Sequence, residues 1–189
     1  MLRKPYQLFD EQGRALVDKA ASKMEVLSKG LLHGAAHVWI WRHHAGRIEL
    51  LLQRRADNMA TFAGMLDISA AGHIDYREEP LAAAVRECQE EVGLKALIED
   101  LRFVMVHRRR LSVMNTALIE NEFVWVYLLE LRRDVDFELQ AKEVSEVMWK
   151  PLTACKSEIY SAANDQYVPH GRPYFDMLFE GLAQALERE

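Results

Sequence analysis

The sequence is poor in several features that would assign a protein to a special class. It has two cysteines, Cys88 and Cys155, in 189 residues, so neither a disulfide framework nor a cysteine-rich zinc site is expected. No segment approaches the roughly 20 uninterrupted apolar residues of a membrane span, and the N-terminus lacks the apolar run of a signal peptide. We therefore expect a cytoplasmic protein that does not enter a membrane.

Positive charge is not in excess either. The chain has 24 Lys and Arg against 29 Asp and Glu, for a formal net charge of −5. Too few cations remain to neutralise a nucleic-acid polymer or an anionic membrane surface, although a small phosphate-bearing ligand in a local basic pocket stays compatible with this charge. Half of the residues are hydrophobic and 28% are charged, as in an ordinary globular protein, and the length predicts one domain over residues 1–189.

The most informative segment is a short one, residues 72–94. Pro80 suits the first turn of a helix, where its missing N–H costs nothing, and Gly93 suits the end, where a positive φ is needed. The segment therefore predicts a helix over residues 80–92. Its apolar residues recur at three- and four-residue spacing and form one packing face, made of Leu81, Ala84, Val85, Cys88 and Val92.

A second face of the same helix carries Glu87, Glu90 and Glu91. Three carboxylates within one turn repel each other at neutral pH and raise one another's pKa unless a cation lies among them. Carboxylate oxygens are ligands that Mg²⁺ and Mn²⁺ prefer, so the spacing favours a metal site in which Arg86 fixes one carboxylate. Taken alone, such a pattern is also typical of a solvated acidic face.

The spacing of the full segment favours the metal site over that alternative. Its fixed positions match the 23-residue box of the Nudix hydrolases: Gly72, Glu78, Arg86, Glu87, Glu90, Glu91 and Gly93. The two apolar positions of the box hold Cys88 and Leu94. The chain thus resembles a Nudix hydrolase, which implies an α+β fold with a mixed β-sheet in an α/β/α sandwich, preceded here by a short N-terminal hairpin and closed by a C-terminal helix.

The resemblance implies a hydrolase that uses Mg²⁺ or Mn²⁺ to cleave the diphosphate linkage of a small molecule, either a nucleoside diphosphate derivative or an isoprenoid diphosphate. The residues implied as metal ligands all belong to the box: Gly72 through its carbonyl, Glu78, Glu87, Glu90 and Glu91. Arg86 is expected to orient Glu87, and Glu78 either binds or positions the metal. The general base stays open between a box glutamate, Glu87 or Glu90, and a later loop that carries Glu143 and Glu146.

The surroundings of the box resemble the type I isopentenyl-diphosphate isomerases over roughly residues 30–150. The matching positions are 32–33, His37, 52–55, 62–67, 71–73, Cys88, 120–122, 143–146 and Trp149. That family has a catalytic cysteine where this chain has Ala71, and it lacks part of the glutamate set that this chain retains. Both departures favour hydrolysis over isomerisation. A Nudix domain that binds a ligand without turnover is a third alternative, and the complete glutamate set disfavours it.

The isomerase resemblance also implies a second metal site, built from His33, His73, Glu120 and Glu122. Two histidines and two carboxylates form a plausible ligand set. A lone histidine at a strand end, however, is more often a hydrogen-bonded structural residue, so the two interpretations stay open.

Four residues are candidates for substrate binding: Arg54, Arg55, Arg109 and Trp149. An arginine can hold a phosphate through two parallel hydrogen bonds, although Arg54 and Arg55 could equally form surface ion pairs. Residues 108–110 form a basic cluster, which we expect to enter a loop through Asn115. Trp39, Trp41 and Trp125 are more typical of core positions than of a base-stacking surface. The group attached to the diphosphate is expected to contact loops 56–64, 108–121 and 153–172, and a homodimer is a further expectation from the resemblance.

The rest of the chain predicts short strands and helices in alternation. Hairpins are expected over 6–10 with 15–19 and over 36–41 with 48–53, and single strands over 65–71, 101–107 and 122–131. Helices are expected over 22–29, closing at Gly30, and from Pro173 onward, with a helical turn after Pro151. The last helix has one apolar face, made of Phe175, Leu178, Phe179, Leu182 and Leu186.

Overall fold

The fold is known from a computed structural model that describes residues 4–112, 117–162 and 164–187. Within these residues, nine strands form one mixed sheet that has helices on both faces. The strands are β1 (Tyr6–Phe9), β2 (Ala15–Ala21), β3 (His33–His44), β4 (Arg47–Arg55), β5 (Leu66–Asp67), β6 (Ala70–His73), β7 (Leu101–Ser112), β8 (Ile119–Glu130) and β9 (Val144–Pro151). The α-helices are α1 (Lys23–Lys29), α2 (Pro80–Val92), α3 (Leu152–Ile159) and α4 (Arg172–Leu186).

The central strand is β3, and its alternating side chains build both cores. Ala35, Trp39 and Trp41 pack in a hydrophobic cluster with residues of α3 and α4. Ala36, Val38 and Ile40 point the other way and pack in a second cluster with α2. Because successive strand residues face opposite sides of a sheet, the apolar run in β3 is buried throughout, which gives the predicted α/β/α sandwich.

The pairing of β3 and β4 determines where the molecule opens. The two strands pair only near their hairpin, from Trp41 with Leu50 to His44 with Arg47. Beyond that point β3 pairs with β6 on one side and in parallel with β8 on the other, while β4 pairs with β5 and β9. The two strands therefore part next to β5 and β6.

Most predicted helix boundaries are confirmed. Ser22 caps α1, accepting a hydrogen bond from the Glu25 backbone N–H, and Gly30 closes it with a φ of 59°. Pro80 begins α2, and Gly93 ends it with a φ of 72°. The predicted turn after Pro151 is instead the two-turn helix α3. In the described part of the chain, no helix has the length and apolar character needed to cross a membrane.

The single strand predicted over residues 65–71 is wrong. Two short strands, β5 and β6, replace it, with Ile68 and Ser69 between them. The Ser69 hydroxyl accepts a hydrogen bond from the Ile40 N–H at 2.8 Å and donates one to the Leu51 carbonyl at 2.5 Å. This side chain thus links β3 to β4 where their backbones part, and the chain bends there instead of continuing as one strand.

The loop predicted over residues 108–121 is too long at both ends, because β7 ends at Ser112 and β8 begins at Ile119. Strand β7 continues to Ser112, and Arg108, Arg109 and Arg110 pair with residues of β8. Arg108 and Arg110 are exposed while Arg109 is half-buried. Their burial alternates as in an ordinary strand, but three consecutive arginines give no alternation of polar and apolar residues from which the strand could be predicted. Asn115 lies outside the described residues. Strand β9 was not predicted, because this edge strand pairs only with β4 and most of its residues are partly exposed.

The segment just before α4 is bound to β5 through backbone groups. The Leu66 N–H donates to the Gln166 carbonyl at 2.7 Å, and the Val168 N–H donates to the Leu66 carbonyl at 2.9 Å. Leu66 and Tyr167 form a parallel bridge. The sheet therefore fixes the path of this segment, which places His170 beside Asp67.

Candidate active site

A cavity of about 790 Å³ lies where β3 and β4 part. Its walls come from α2, β3, β6, β8, the loop around residues 58–62 and the segment before α4. The carboxylates of α2 and the polar residues of the sheet open on this one space, so the fold brings together groups that are far apart in the sequence.

The acidic face of α2 lines the cavity, as the box predicts. The side chains of Glu87 and Glu91 are buried, whereas that of Glu90 is half-exposed. Glu91 Oε2 accepts a hydrogen bond from the Ala71 N–H at 2.8 Å and another from Gln53 Nε2 at 3.3 Å. The helix thus presents three carboxylates at different depths, and the deepest is fixed by both neighbouring strands.

Arg86 joins the carboxylates of the box into one network. Its Nη1 donates to Glu87 Oε1 at 2.5 Å and to Glu90 Oε2 at 3.2 Å. Its Nε and Nη2 donate to the two Glu78 oxygens at 2.8 and 2.9 Å, and Nη2 also donates to the His73 carbonyl at 2.9 Å. Arg86 is therefore placed to orient Glu87. Glu78 is not among the described residues that line the cavity, and its contacts are those of a residue that positions Arg86.

Gly72 is needed because Glu87 lies directly over it. A Cβ added at Gly72 would meet Glu87 Oε1 at 2.0 Å and the carboxyl carbon at 2.1 Å. Real Cβ atoms do not approach so closely, so the first glycine of the box makes room for the carboxylate that Arg86 orients.

The electrostatics of this cluster fit a bound cation. Burial raises the pKa of Glu87 to about 7, and the charges on Glu90 and Glu143 add to this effect although Arg86 opposes it. Burial also raises the pKa of Glu91 well above its usual range, with Glu87 contributing. Carboxylates that are buried together lose stability as anions, and a divalent cation coordinated by their oxygens would remove this penalty.

A second group of metal-ligating side chains lies on the sheet. One ligand atom from each of His33, His73 and Glu122 falls within 4.8 Å of the others. Both histidine Nε2 atoms lie 3.3 Å from Glu122 Oε1. Among the described residues, His33 Nε2 and Glu122 Oε2 are buried and form ion-pair contacts of 3.3 and 3.5 Å but no hydrogen bond, and a metal ion would satisfy such atoms.

Glu120, predicted as the fourth ligand, lies outside the 4.8 Å group that His33, His73 and Glu122 form. Arg109 forms ion pairs with Glu120 at 3.1 Å and with Glu122 at 3.5 Å. Glu120 precedes Glu122 by two residues on β8 and pairs with this arginine, while its charge also helps to raise the pKa of His33. Both Glu120 and Arg109 still line the cavity.

The predicted substrate-binding residues divide into two groups. Arg55 and Arg109 line the cavity, whereas Arg54 and Trp149 are not among its described lining residues. Arg54 pairs with the exposed Glu146 at 3.2 Å, which is the surface ion pair that the sequence left open. Trp149 lies outside as well, with the Arg42 guanidinium 4.1 Å from the centre of its ring.

The two later-loop candidates for the general base lie in different places. Glu143 lines the cavity, and Glu146 is not among the described residues that do.

Trp39 and Trp41 are buried in the core shared with α4, and Trp125 is partly buried in the core shared with α2. The core interpretation of these three tryptophans is the one that their burial favours.

Further polar residues of the cavity lining had no role assigned from the sequence: His37 and Asp67 were named only as positions that match the isomerases, and His170 was not named. His170 Nε2 lies 2.8 Å from Asp67 Oδ1, and Arg55 Nη1 donates to Asp67 Oδ2 at 3.1 Å. His37 Nδ1 lies 3.0 Å from the Tyr174 hydroxyl, and this hydroxyl also accepts a hydrogen bond from the Trp39 indole at 2.8 Å. For His37 the signals were its match to the isomerases and its place inside an otherwise apolar strand; His170 had neither.

No thiol replaces the cysteine that is missing at position 71. Cys88 is buried in the core beneath α2 and Cys155 in the core beside α3. Neither is among the described residues that line the cavity, and burial raises the pKa of each thiol to about 12. Both cysteines are thus inert core residues.

The family follows from comparison of the sequence with known families. A model of the NUDIX domain matches residues 31–170, which include the box and both groups of candidate metal ligands. The chain belongs to the Nudix family.

Nudix relatives of this chain include both hydrolases and isomerases. It is 34% identical over 149 residues to Nudix hydrolase 3 of Arabidopsis thaliana, covering 77% of this chain but only 19% of that protein. It is 28% identical over 167 residues to the isopentenyl-diphosphate Delta-isomerase of Jannaschia sp. (strain CCS1), covering 86% of this chain and 90% of that enzyme. The predicted likeness to the isomerase branch is confirmed.

Solved Nudix structures confirm the predicted fold. The NUDIX domain of Shewanella oneidensis NrtR, solved in complex with ADP ribose, superposes with a TM-score of 0.57 at 16% identity, covering 81% of this chain and 87% of that one. At this identity the similarity establishes the shared fold.

Proposed function

We propose that this Nudix protein is a divalent-metal-dependent hydrolase that cleaves the diphosphate linkage of a small organic diphosphate, such as a nucleoside diphosphate derivative. The observation that carries the proposal is the pair of buried carboxylates, Glu87 and Glu91, which face the cavity with raised pKa values. Residues in a cleft whose pKa values are strongly shifted by burial and by a neighbouring charge cluster at functional sites.

The metal ligands in this proposal are Glu87, Glu90 and Glu91, and Mg²⁺ or Mn²⁺ is the ion that suits them. When bound, such an ion supplies Lewis acidity to a phosphoryl oxygen and lowers the pKa of water. The protein's own contribution is rigidity, because Arg86 fixes Glu87 while Ala71 and Gln53 fix Glu91. His33, His73 and Glu122 form a candidate second metal site, without Glu120.

Arg55 and Arg109 are the proposed phosphate-binding residues. Both guanidinium groups line the same cavity as the carboxylates, and arginine matches the geometry of phosphate oxygens. Arg55 is held by Asp67 and by the Thr61 carbonyl, at 3.1 and 3.2 Å. An arginine fixed in this way binds an anion with less loss of side-chain entropy.

For the general base, the geometry favours Glu90 and Glu143 over Glu146. Glu90 and Glu143 line the cavity, and Glu146 forms an exposed ion pair with Arg54. Glu90 is half-exposed and bonded to Arg86, so it could accept a proton from a water molecule and pass it to solvent.

Isomerisation is disfavoured because the reaction, as the resemblance describes it, needs a thiol in the cavity. Ala71 offers only a methyl group at that position, and its backbone N–H is bonded to Glu91. The two cysteines are buried in the cores. The isomerase relatives therefore support the branch of the family, while the glutamates support hydrolysis.

The test is product analysis with a panel of nucleoside diphosphates and triphosphates, sugar nucleotides, dinucleotides and isoprenoid diphosphates, with Mg²⁺ or Mn²⁺ and without metal. We expect metal-dependent cleavage of one class, and strong loss of turnover in Glu90→Gln. Glu99→Gln is the matched control, because Glu99 is exposed and remote from the described cavity lining. Folded, metal-bound protein that cleaves nothing in the panel would instead favour a ligand sensor.

A further inference from the structure

Arg55, the proposed phosphate-binding residue, lies at one end of a chain of polar contacts. Its Nε donates to the Thr61 carbonyl at 3.2 Å, and its Nη1 donates to Asp67 Oδ2 at 3.1 Å. Asp67 Oδ1 lies 2.8 Å from His170 Nε2. Asp67 and His170 are buried, and all four residues belong to the cavity lining. The chain thus connects the loop around residues 58–62 to the segment before α4 through strand β5.

The Asp67 carboxylate is held through both of its oxygens. Oδ1 accepts a hydrogen bond from the Ile68 backbone N–H at 2.9 Å and contacts His170, while Oδ2 accepts one from Arg55. Burial would raise the pKa of Asp67, but the hydrogen bond and charge of His170, followed by the charge of Arg55, lower it on balance. Asp67 is therefore ionised. Because a carboxylate only accepts hydrogen bonds, His170 Nε2 is the donor, whatever the charge on its ring.

The His170 ring is fixed on the floor of the cavity by its aromatic neighbours. Its centroid lies 4.9 Å from that of Tyr174, 5.4 Å from that of His37 and 5.9 Å from that of Phe175. Its backbone N–H donates to the Val168 carbonyl at 2.9 Å, within the segment that is bonded to β5. A ring packed on several sides keeps one orientation, so its Nε2 stays directed at the carboxylate.

These contacts leave one part of the Arg55 guanidinium for a ligand. Nε and Nη1 are engaged by the protein, and within the described chain Nη2 has no hydrogen-bond partner. A guanidinium is a rigid planar fork, so contacts that fix two of its nitrogens also fix the direction of the third. The accuracy with which Nη2 meets a phosphate oxygen therefore depends on Asp67, and the orientation of Asp67 depends on His170.

We propose that His170 is a positioning residue for diphosphate binding: it holds the Asp67 carboxylate, which in turn holds the Arg55 guanidinium toward the cavity. Removing the His170 N–H would leave a buried carboxylate oxygen short of a donor, which is costly, and the carboxylate could then turn away from Arg55. This role rests on the proposed function only for Arg55 as the phosphate-binding residue, so it can be measured as binding, independently of turnover.

The experiment is calorimetric titration, with Mg²⁺ present, of methylenediphosphonate, a diphosphate analogue that cannot be hydrolysed. His170→Phe keeps an aromatic ring but removes the donor, and we expect it to weaken binding of the probe about fivefold. His170→Gln places an amide N–H near the Nε2 position and should restore the affinity to within about twofold of wild type. Should His170→Phe fail to fold, His170→Asn, whose amide stops short of that position, should show the same fivefold loss.

Two further variants separate positioning from a general loss of structure. Arg55→Gln alone should weaken the probe about tenfold, and adding His170→Phe should weaken it by less than about twofold more, because both residues act on one contact. Tyr174→Phe is the matched control. It changes the same buried cluster, but its hydroxyl contacts His37 and Trp39, and it is not among the described residues of the cavity lining. It should lower the free energy of unfolding and leave the affinity within about twofold.

Unchanged affinity in His170→Phe would overturn the positioning role, as would a loss that adds in full to that of Arg55→Gln, or an Arg55→Gln variant that binds the probe as wild type does. With a substrate from the panel, His170→Phe should raise KM about fivefold and change kcat less than about twofold. Coupled losses of affinity in a protein that cleaves no diphosphate would keep the positioning role and remove the hydrolase. Metal-dependent cleavage without this coupling would keep the hydrolase and remove the positioning role.

Discussion

The carboxylates of α2 and the histidines of the floor reach the same cavity by different routes. Glu87, Glu90 and Glu91 lie within about one turn of a single helix, so their relative positions follow from helical spacing alone. His37 bonds to Tyr174 across 137 residues of chain, and His170 meets Asp67 across 103. A locally built site can be predicted before the fold is known, whereas a site built across segments depends on strand pairing.

The largest effect on activity is expected from removing one of the three carboxylates of α2. Glu87→Gln removes the buried carboxylate that Arg86 orients, and we expect kcat to fall about 1,000-fold, since a catalytic metal contributes several kcal/mol. Steady-state kinetics on the substrate found in the panel measures this. Glu99→Gln should be unaffected. A loss below about tenfold for Glu87→Gln would place the metal elsewhere.

The next largest effect is expected from a substitution that keeps all three α2 carboxylates but moves one of them. Gly72→Ala puts a methyl group within the space of the Glu87 carboxylate, 2.0 Å from Oε1. We expect about 100-fold lower activity together with weaker Mn²⁺ binding by calorimetry, because a displaced ligand costs catalysis heavily.

The control for that variant is Gly46→Ala. A Cβ there meets nothing within 4 Å, although the φ of 73° is unfavourable for alanine. It should lower the free energy of unfolding by about 1 kcal/mol and leave activity intact. Full activity in Gly72→Ala would show that Glu87 tolerates a shift.

Two adjacent arginines, Arg54 and Arg55, test the part of the cavity that is assembled from distant segments of the chain. Arg55 lines the cavity and is held by Asp67, whereas Arg54 is bound to Glu146 outside it. Arg55→Gln should raise KM about tenfold, as expected for a lost charged hydrogen bond, and Arg54→Gln should change it less than about twofold. Similar effects in both variants would contradict the placement of Arg55 as the phosphate-binding residue.

The smallest effect is expected at Trp149, which the resemblance proposed for substrate binding. Its ring lies beneath the Arg42 guanidinium and outside the described cavity lining. Trp149→Phe should leave KM unchanged and reduce the free energy of unfolding by about 0.5 to 1 kcal/mol in urea denaturation. A tenfold rise in KM would return Trp149 to the substrate site.

The sequence was sufficient where structure is local. The bounds of α2 could be predicted because Pro80 and Gly93 act on the backbone within a few residues. Gly72 and Arg86 belong to a fixed spacing, and their partners lie in or next to the same segment.

The rest depended on tertiary contacts that one sequence does not show. Ser69 interrupts a predicted strand because its hydroxyl bonds to β3 and β4 at once. Arg109 is half-buried between two exposed arginines, so a polar run concealed the end of β7. His170 has no local signal at all, since only the pairing of residues 166–168 with β5 brings it to Asp67.

That pairing also bears on how readily the protein could be redesigned. The segment before α4 is held to Leu66 by hydrogen bonds between backbone N–H and carbonyl groups. Every residue except proline has both of these groups. Exposed side chains of this segment, such as Asp165 and Gln166, can therefore be exchanged while the main chain keeps its course, whereas Tyr167, Val168 and His170 are buried. A combinatorial library limited to the exposed positions would vary the rim of the cavity without rebuilding a loop, which makes this segment a suitable starting point for directed evolution.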